Sequence, residues 1–403
     1  MGYLKDGVPL QPTPGGGLLQ EGTMWESKKP YVIAEVGSNF VVSDDGLSNK
    51  ASAISHIKMA KQAGASAVKF QLWTVEDLYG YAAREDLRQW QLPEEWVRVL
   101  SRTCREEGMD FILSVFNPAK VEPFSPYVDA FKVASSDFRH LPLLKAMLDI
   151  KKPIIMSTGG HHVSDIGKNL EFIAKHDPNL ERLCLLECVA AYPAPVKDYN
   201  LSTLVKLMVT GVRHVGVSDH TMKRLVSIAA VALGAKVFEY HFDAHRESRN
   251  LETPDAVVSL STSELETQIH LLNQVHAASR DEAKHWMPSE QEFVLKHIRR
   301  LKFTCDVPRG TVLKYGVHYG IYRSLEDDPK GGPAEAYKHF DGVTLNQDKK
   351  QGDSLWYSDV KGIEDGGCTG DNALGSSEAQ RIADSARTRT EVGGQSPSKV
   401  PPK

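Results

Sequence analysis

The sequence predicts an α/β protein, a (β/α)8 TIM barrel followed by a small β-rich domain, and three observations carry that prediction. Between residues 31 and 242, short apolar runs and helical patterns alternate through eight rounds, the number a closed barrel needs in roughly 250 residues. Most of the runs are near-continuously apolar, as parallel strands covered on both faces are. Their carboxyl ends are polar, and that is the edge at which such barrels carry their chemistry. An open doubly wound sheet would ask for a glycine-rich phosphate turn after the first strand, and Gly37-Ser38-Asn39-Phe40 is no such turn.

Residues 1–29 contain Pro-Thr-Pro-Gly-Gly-Gly and little apolar patterning, and read as a flexible arm. Strands are expected at 31–37, 67–71, 111–116, 130–134, 153–158, 183–189, 214–219 and 236–242. A helix over 52–65 puts Ile54, Ile57, Ala60 and Ala63 at helical spacing before Gly64. The next, over 92–107, opens with Pro93-Glu94-Glu95 and carries Trp96, Val97 and Leu100 on one face. Further helices are expected at 165–175, 201–209, 224–233 and 263–277, whereas the crossover 118–127 holds three prolines and makes a poor helix. The barrel domain is drawn at 30–285. Past Pro288-Ser289-Glu290 the character changes to strand-like pieces broken by Pro308-Arg309-Gly310 and recurring up to Val360, which defines a second domain over 286–362. Residues 363–403 hold no aromatic side chain and are dense in Gly, Ser, Asp and Pro, the composition of a disordered tail.

Bulk properties narrow the function. With 41% apolar and 25% charged residues the chain is an ordinary globular protein, with no run long enough to span a membrane. No secretory signal stands at the amino end. The five cysteines are odd in number and lack CxxC spacing, so free thiols in a reducing cytoplasm are expected. A net charge of −4 and a pI near 6.4 argue against a general nucleic-acid binder, and an anionic ligand would need a local cluster of positive charge.

The strand tips supply such a cluster. Glu35 lies in the first strand with Ser38 and Asn39 just beyond; Lys69 and Gln71 close the second, Ser114 the third, and Lys132 with Ser135 the fourth. Ser157 ends the fifth, Tyr192 follows the sixth, Ser218, Asp219 and His220 end the seventh, and Glu239 and His241 the eighth. A lysine in mid-strand needs a buried partner, and two of them suggest an anion between them, with serine hydroxyls as further donors. Singly each reads as a salt bridge inside the barrel; together they read as a ligand site. Residues 216–242 form strand, helix and strand, so His220 and His241 emerge side by side and can share one divalent metal, the plain alternative being two unrelated histidines.

With these tips in hand the sequence resembles the sialic acid synthase (N-acetylneuraminate synthase-like) family, which condenses phosphoenolpyruvate with an N-acetylated hexosamine. The matching stretches include Ile33-Ala-Glu-Val-Gly-Ser-Asn39, Ala65-Ser-Ala-Val-Lys-Phe-Gln71, Phe131-Lys-Val-Ala-Ser135, Ser157-Thr-Gly159, Tyr192-Pro-Ala-Pro195, Ser218-Asp-His-Thr221 and Glu239-Tyr-His-Phe242. The resemblance implies a (β/α)8 barrel followed by a small antifreeze-like (SAF) domain that reaches over a partner's barrel mouth in a homodimer. It further implies phosphoenolpyruvate on Lys69, Ser114, Lys132, Ser135, Ser157 and Ser218, and Mn2+ or Mg2+ on His220 and His241. Proton handling at the aldehyde falls to Glu35, and the acceptor sugar to Asn39, Gln71, Tyr192 and Asp255.

Departures from the family pattern fall on the acceptor side. Where the family reads Asn-His-Asn-Gly after the first strand, this chain has a longer loop from Asn39-Phe40 to Gly46; after the sixth it has Glu187-Cys-Val-Ala-Ala-Tyr192 in place of His-Cys-Thr and a following Asn or Ser. Arg323 and Lys330 are the candidates for the arginine that contacts the sugar in the family. With Phe40 and Ala190 apolar, N-acetylmannosamine is expected to be a poor acceptor and a modified sugar or another aldehyde a better one. The competing readings are a metal-dependent aldolase that uses pyruvate itself, and a non-catalytic carbohydrate-binding relative.

Overall fold

The computed structural model describes residues 29–80, 84–212, 214–222, 224–248, 253–279, 284, 286–323 and 331–362. Apart from Lys29, the expected arm 1–29 lies outside the described residues, as do the expected tail 363–403 and Lys330. The chain divides into two compact units, Met1–Asp281 and Glu282–Lys403.

In the first unit, β1 (Tyr31–Glu35), β2 (Ala67–Leu72), β3 (Asp110–Val115), β4 (Ala130–Val133), β5 (Ile154–Ser157), β6 (Leu183–Cys188), β7 (His214–Ser218) and β8 (Val237–His241) follow one another around a closed barrel. Every pair is parallel, including β1 with β8 at the closure. The barrel read from the sequence is therefore the barrel observed. Around it lie α1 (Gly46–Gln62), α2 (Val75–Tyr79), α3 (Val97–Glu106), α4 (Val121–Phe124), α5 (Leu141–Ile150), α6 (Val163–Ala174), α7 (Ser202–Met208), α8 (Leu225–Ala232) and α9 (Thr262–Ala278).

Local chemistry explains where these helices differ from expectation. Helix α1 starts well before residue 52 because Asp45 caps it, accepting from the backbone N–H groups of Leu47 and Ser48 at 3.1 and 3.0 Å. Helix α5 was not anticipated. Its Pro142 stands in the first turn, where no donor is lost, and His140 Nδ1 accepts from Leu143 N at 3.3 Å. Proline-rich α4 is a single turn between short 3-10 segments.

Strand periodicity sorts the barrel into layers. At the amino end the inward positions are apolar: Tyr31, Ile33, Ala67, Ile112, Ala130, Ile155, Cys184, Leu186 and Val237 form one buried plug. Two residues further on, the same face turns polar with Glu35, Lys69, Ser114, Lys132, Ser157, Ser218 and Glu239, all buried. The parallel register sets these side by side: Glu35 is opposite both Lys69 and His241, Ser114 opposite Lys132, and Ser218 opposite Glu239. Outward positions such as Val68, Phe70, Phe131, Met156 and Phe238 pack under the helices in the main core.

The second unit contains α10 (Gln291–Lys296) and an antiparallel pair, β9 (Arg300–Phe303) with β10 (Tyr319–Tyr322). Single β-bridges join Val307 to Lys349, Val312 to Thr344 and Leu345 to Val360. They enclose a core of its own around Leu301, Phe303, Tyr319, Phe340 and Leu355. Among the described residues, regular strand in this unit is confined to that one pair.

Candidate active site

The polar layer is an ionic network built on two lysines. Lys69 Nζ lies 2.5 Å from Glu35 Oε2 and 3.8 Å from Glu239 Oε2, and donates to Ser114 Oγ at 3.2 Å. Lys132 Nζ donates to Ser157 Oγ at 2.6 Å and to the Val133 carbonyl at 3.0 Å, and lies 3.9 Å from Glu239 Oε1, which also accepts from Ser218 Oγ at 2.8 Å. Glu239 thus stands between both ammonium groups. Burial opposes its ionisation, but Lys132 and Lys69 outweigh burial and hold it near 2. Glu35 goes the other way. Burial, reinforced by the Glu239 charge and resisted by Lys69, pushes it up to about 7. Lys69 and Lys132 thus face one firm carboxylate and one proton-bearing carboxyl, and burial lowers the Lys132 ammonium.

Ser135 sits at the rim of this layer. Its Oγ accepts from Gly159 N at 3.1 Å, its carbonyl lies 2.9 Å from His161 Nε2, and its hydroxyl faces Cys188 Sγ at 3.8 Å.

Beside this layer the two imidazoles meet, ring centres 5.4 Å apart and both rings buried. His220 Nδ1 lies 2.9 Å from the Val189 carbonyl, which draws the proton there, while Nε2 faces Ser218 Oγ at 3.3 Å. Tyr199 OH fixes the turn by accepting from His220 N at 3.1 Å and donating to the Ser218 carbonyl at 2.8 Å. His241 Nδ1 faces Asp255 Oδ1 at 3.4 Å. Burial lowers both imidazoles, His241 to about 4, so each is neutral near pH 7, the form that ligates metals. Tyr192, half exposed, stacks on His220 at 4.3 Å and meets His241 edge-on at 5.3 Å. Among the described residues no three His, Cys, Asp or Glu side chains are grouped to hold a metal ion. Two neighbouring neutral imidazoles are donors of the type a divalent ion takes.

The acceptor residues fare differently. Gln71 Nε2 donates to Glu35 Oε1 at 2.5 Å, which ties it to the proton-bearing carboxyl. Asn39 is fully buried: its amide donates to the Phe242 carbonyl at 3.0 Å and Ser259 Oγ at 2.8 Å, and Thr253 donates to its Oδ1. Both ends of its amide are engaged by the segment that carries Thr253 and Ser259. Phe40 is likewise turned into the core, edge-on to Trp96 at 6.0 Å. Ala190, by contrast, is exposed. Sequence reading placed Glu239 at a strand tip without giving it a task; standing two residues before His241, it had to share that histidine's face.

Fold and site together define a (β/α)8 barrel with a buried layer of lysines, glutamates and serines, and an imidazole pair, at the carboxyl ends of its strands. The chain belongs to the NeuB family, whose pattern matches residues 56–284. It is 32% identical to the spore coat polysaccharide biosynthesis protein SpsE of Bacillus subtilis, over 63% of this chain and 70% of that one. It is 28% identical to the pseudaminic acid synthase of Campylobacter jejuni, over 85% of this chain and all of the relative. Among solved structures, the N-acetylneuraminic acid synthetase of Leptospira borgpetersenii superposes with a TM-score of 0.59 at 25% identity, covering 66% of this chain and 90% of that one.

Proposed function

We propose that the chain is a synthase that condenses phosphoenolpyruvate with an aldehyde sugar, N-acetylmannosamine-like or a modified hexose, to give a sialic-acid-like 2-keto-3-deoxy acid and phosphate. The observation that carries this reading is the buried pairing of Lys69 and Lys132 across Glu239, beside two neutral imidazoles and a glutamic acid of pKa about 7. Membership of the NeuB family supports it.

In this reading Lys69 and Lys132, with the hydroxyls of Ser114, Ser135, Ser157 and Ser218, hold the phosphate and carboxylate of phosphoenolpyruvate in one orientation. Its methylene carbon attacks the aldehyde carbon, and the aldehyde oxygen, becoming an alkoxide, takes the proton of Glu35. Positive charge that develops at the enol-ether carbon is stabilised by the Glu239 carboxylate. Water adds to that carbon, and the tetrahedral centre expels phosphate to leave the keto acid. His220 and His241 would hold a divalent ion, Mn2+ or Mg2+, which when bound supplies Lewis-acid polarisation of the aldehyde. Tyr192 walls the acceptor side. The second unit serves as the antifreeze-like domain of a homodimer, within the bounds 286–362. Cys104, Cys184, Cys188 and Cys305 are free thiols, which suits a cytoplasmic enzyme. No helix among the described residues is long and apolar enough to cross a membrane.

The test is incubation with phosphoenolpyruvate and a panel of aldehyde sugars, following phosphate release and product mass. Phosphate and a keto acid should appear together. His220→Ala or His241→Ala should abolish turnover and weaken Mn2+ binding with the circular dichroism unchanged. Consumption of pyruvate without phosphate would point to an aldolase and defeat the reading, as would near-normal activity of either histidine variant after chelation.

A further inference from the structure

Asp255 is gripped more closely than the holding of a sugar requires. Its Oδ2 accepts from both the backbone N and the hydroxyl of Ser38, at 2.8 and 2.6 Å. Just before Ser38, Gly37 takes φ +53°, and a Cβ there would lie 2.4 Å from the same oxygen, so only glycine admits the carboxylate. The segment bearing Asp255 is fastened on both flanks by Asn39, through Thr253 and Ser259, and Ser259 Oγ donates to the Asp255 carbonyl at 2.7 Å. One carboxylate oxygen is thus locked to the turn after β1. The other, Oδ1, is left facing His241 Nδ1 at 3.4 Å.

A carboxylate fixed at one oxygen and aimed with the other at an imidazole sets the ring angle and tautomer of that imidazole. A carboxylate there favours the tautomer with the proton on Nδ1 and the lone pair on Nε2, although in this structure the 3.4 Å contact is longer than a formed hydrogen bond. His220 has the same arrangement by other means, its Nδ1 lying 2.9 Å from the Val189 carbonyl. The two rings lie 5.4 Å apart, His241 at the end of β8 and His220 two residues past the end of β7.

We propose that Asp255, mounted on Gly37 and Ser38, is a positioning residue that orients His241 to present Nε2 to a divalent ion shared with His220. This rests on the metal reading above, and it gives Asp255 a task other than the sugar contact that the family resemblance implies.

The experiment is a Mn2+ titration of the full chain without substrates, read by the electron paramagnetic resonance signal of free Mn2+, with melting temperature measured in parallel. Asp255→Asn keeps the size of the side chain and weakens its pull on Nδ1–H; it should raise the Mn2+ Kd about 10- to 100-fold, the usual effect of losing such a partner. Gly37→Ala, which drives a methyl group against Oδ2, should act in the same direction. In steady-state assays the phosphoenolpyruvate KM of Asp255→Asn should stay near wild type. A Mn2+ Kd within about twofold of wild type, with a raised aldehyde KM, would overturn the proposal and return Asp255 to the sugar. Should Asp255→Asn melt early, Ser38→Ala replaces it: a smaller weakening is expected, and an unchanged Kd overturns the proposal. If wild type itself binds no Mn2+, or His241→Ala binds it as well as wild type, the metal reading fails and this inference with it.

Discussion

Glu35 and Glu239 are the same chemical group in the same buried layer, and their environments drive them apart, to about 7 and about 2. Two carboxyls so separated can divide acid and electrostatic work between them. Glu239 has a lysine on either side, whereas Glu35 has only Lys69, and burial prevails. A group that acts by donating a proton loses activity as pH rises through its folded pKa, so turnover should fall on the alkaline side of about 7. The same shift bears on stability. Glu35 has an ordinary value of 4.5 and a raised folded value, so the folded state binds the extra proton in between. Its contribution is full below 4.5 and is lost as pH rises towards 7. Glu35→Gln should cut kcat by orders of magnitude, remove that alkaline limb from the residual rate, and flatten the fall in stability over the same interval. A variant that kept the limb would show that another group supplies the proton. Such roles were only partly legible. Lys69 and Lys132 stood out because charge interrupts an apolar run, whereas the partners of Asn39 lie more than two hundred residues away in sequence and no local pattern announces them.

At the scale of elements, β7 and β8 form the part of the barrel where packing and chemistry are least separable. Gly216, in the middle of β7, has room for a hydrogen alone: a Cβ would lie 1.9 Å from the Val237 carbonyl oxygen and 2.9 Å from Leu186 Cδ2. The next inward residue is Ser218, paired in register with Glu239. Gly216→Ala must part the two strands, and overpacking of this kind costs about 1–3 kcal/mol or more. It should also raise the phosphoenolpyruvate KM, because Ser218 and Glu239 move apart with their strands. A denaturant midpoint and slope matching wild type would show that the barrel absorbs the methyl group. The strands were legible because burial on both faces leaves an unbroken apolar run. Helix starts were less so. Asp45 lengthens α1 by capping, while Pro142, which reads as a breaker, stands harmlessly in the first turn of α5.

At the scale of the whole molecule, eight strand and helix rounds left little freedom: a parallel sheet of that count with right-handed crossovers closes into a barrel, and every strand tip then faces one mouth. The tips therefore predicted a common site before any distance was known. What the count could not supply was the acceptor, because that side is shaped by loops. Two substitutions suggested an apolar acceptor pocket, and the fold separates them. Phe40 is buried against Trp96 and presents nothing to a ligand. Ala190 is exposed on the loop after β6, and a Cβ on Gly159, in the loop after β5, would come within 3.2 Å of its own. Of the two, Ala190 alone is exposed to a ligand. A site that hydrogen-bonds an amide or hydroxyl discriminates steeply, and an alanine where such a donor would stand gives up that recognition. N-acetylmannosamine should accordingly show a kcat/KM about tenfold or more below that of the best aldehyde in a broad panel. Ala190→Asn should narrow the gap by improving N-acetylmannosamine. If N-acetylmannosamine heads the panel, or if Ala190→Asn leaves the ranking untouched, the acceptor is selected elsewhere in the mouth and Ala190 only packs beside Gly159.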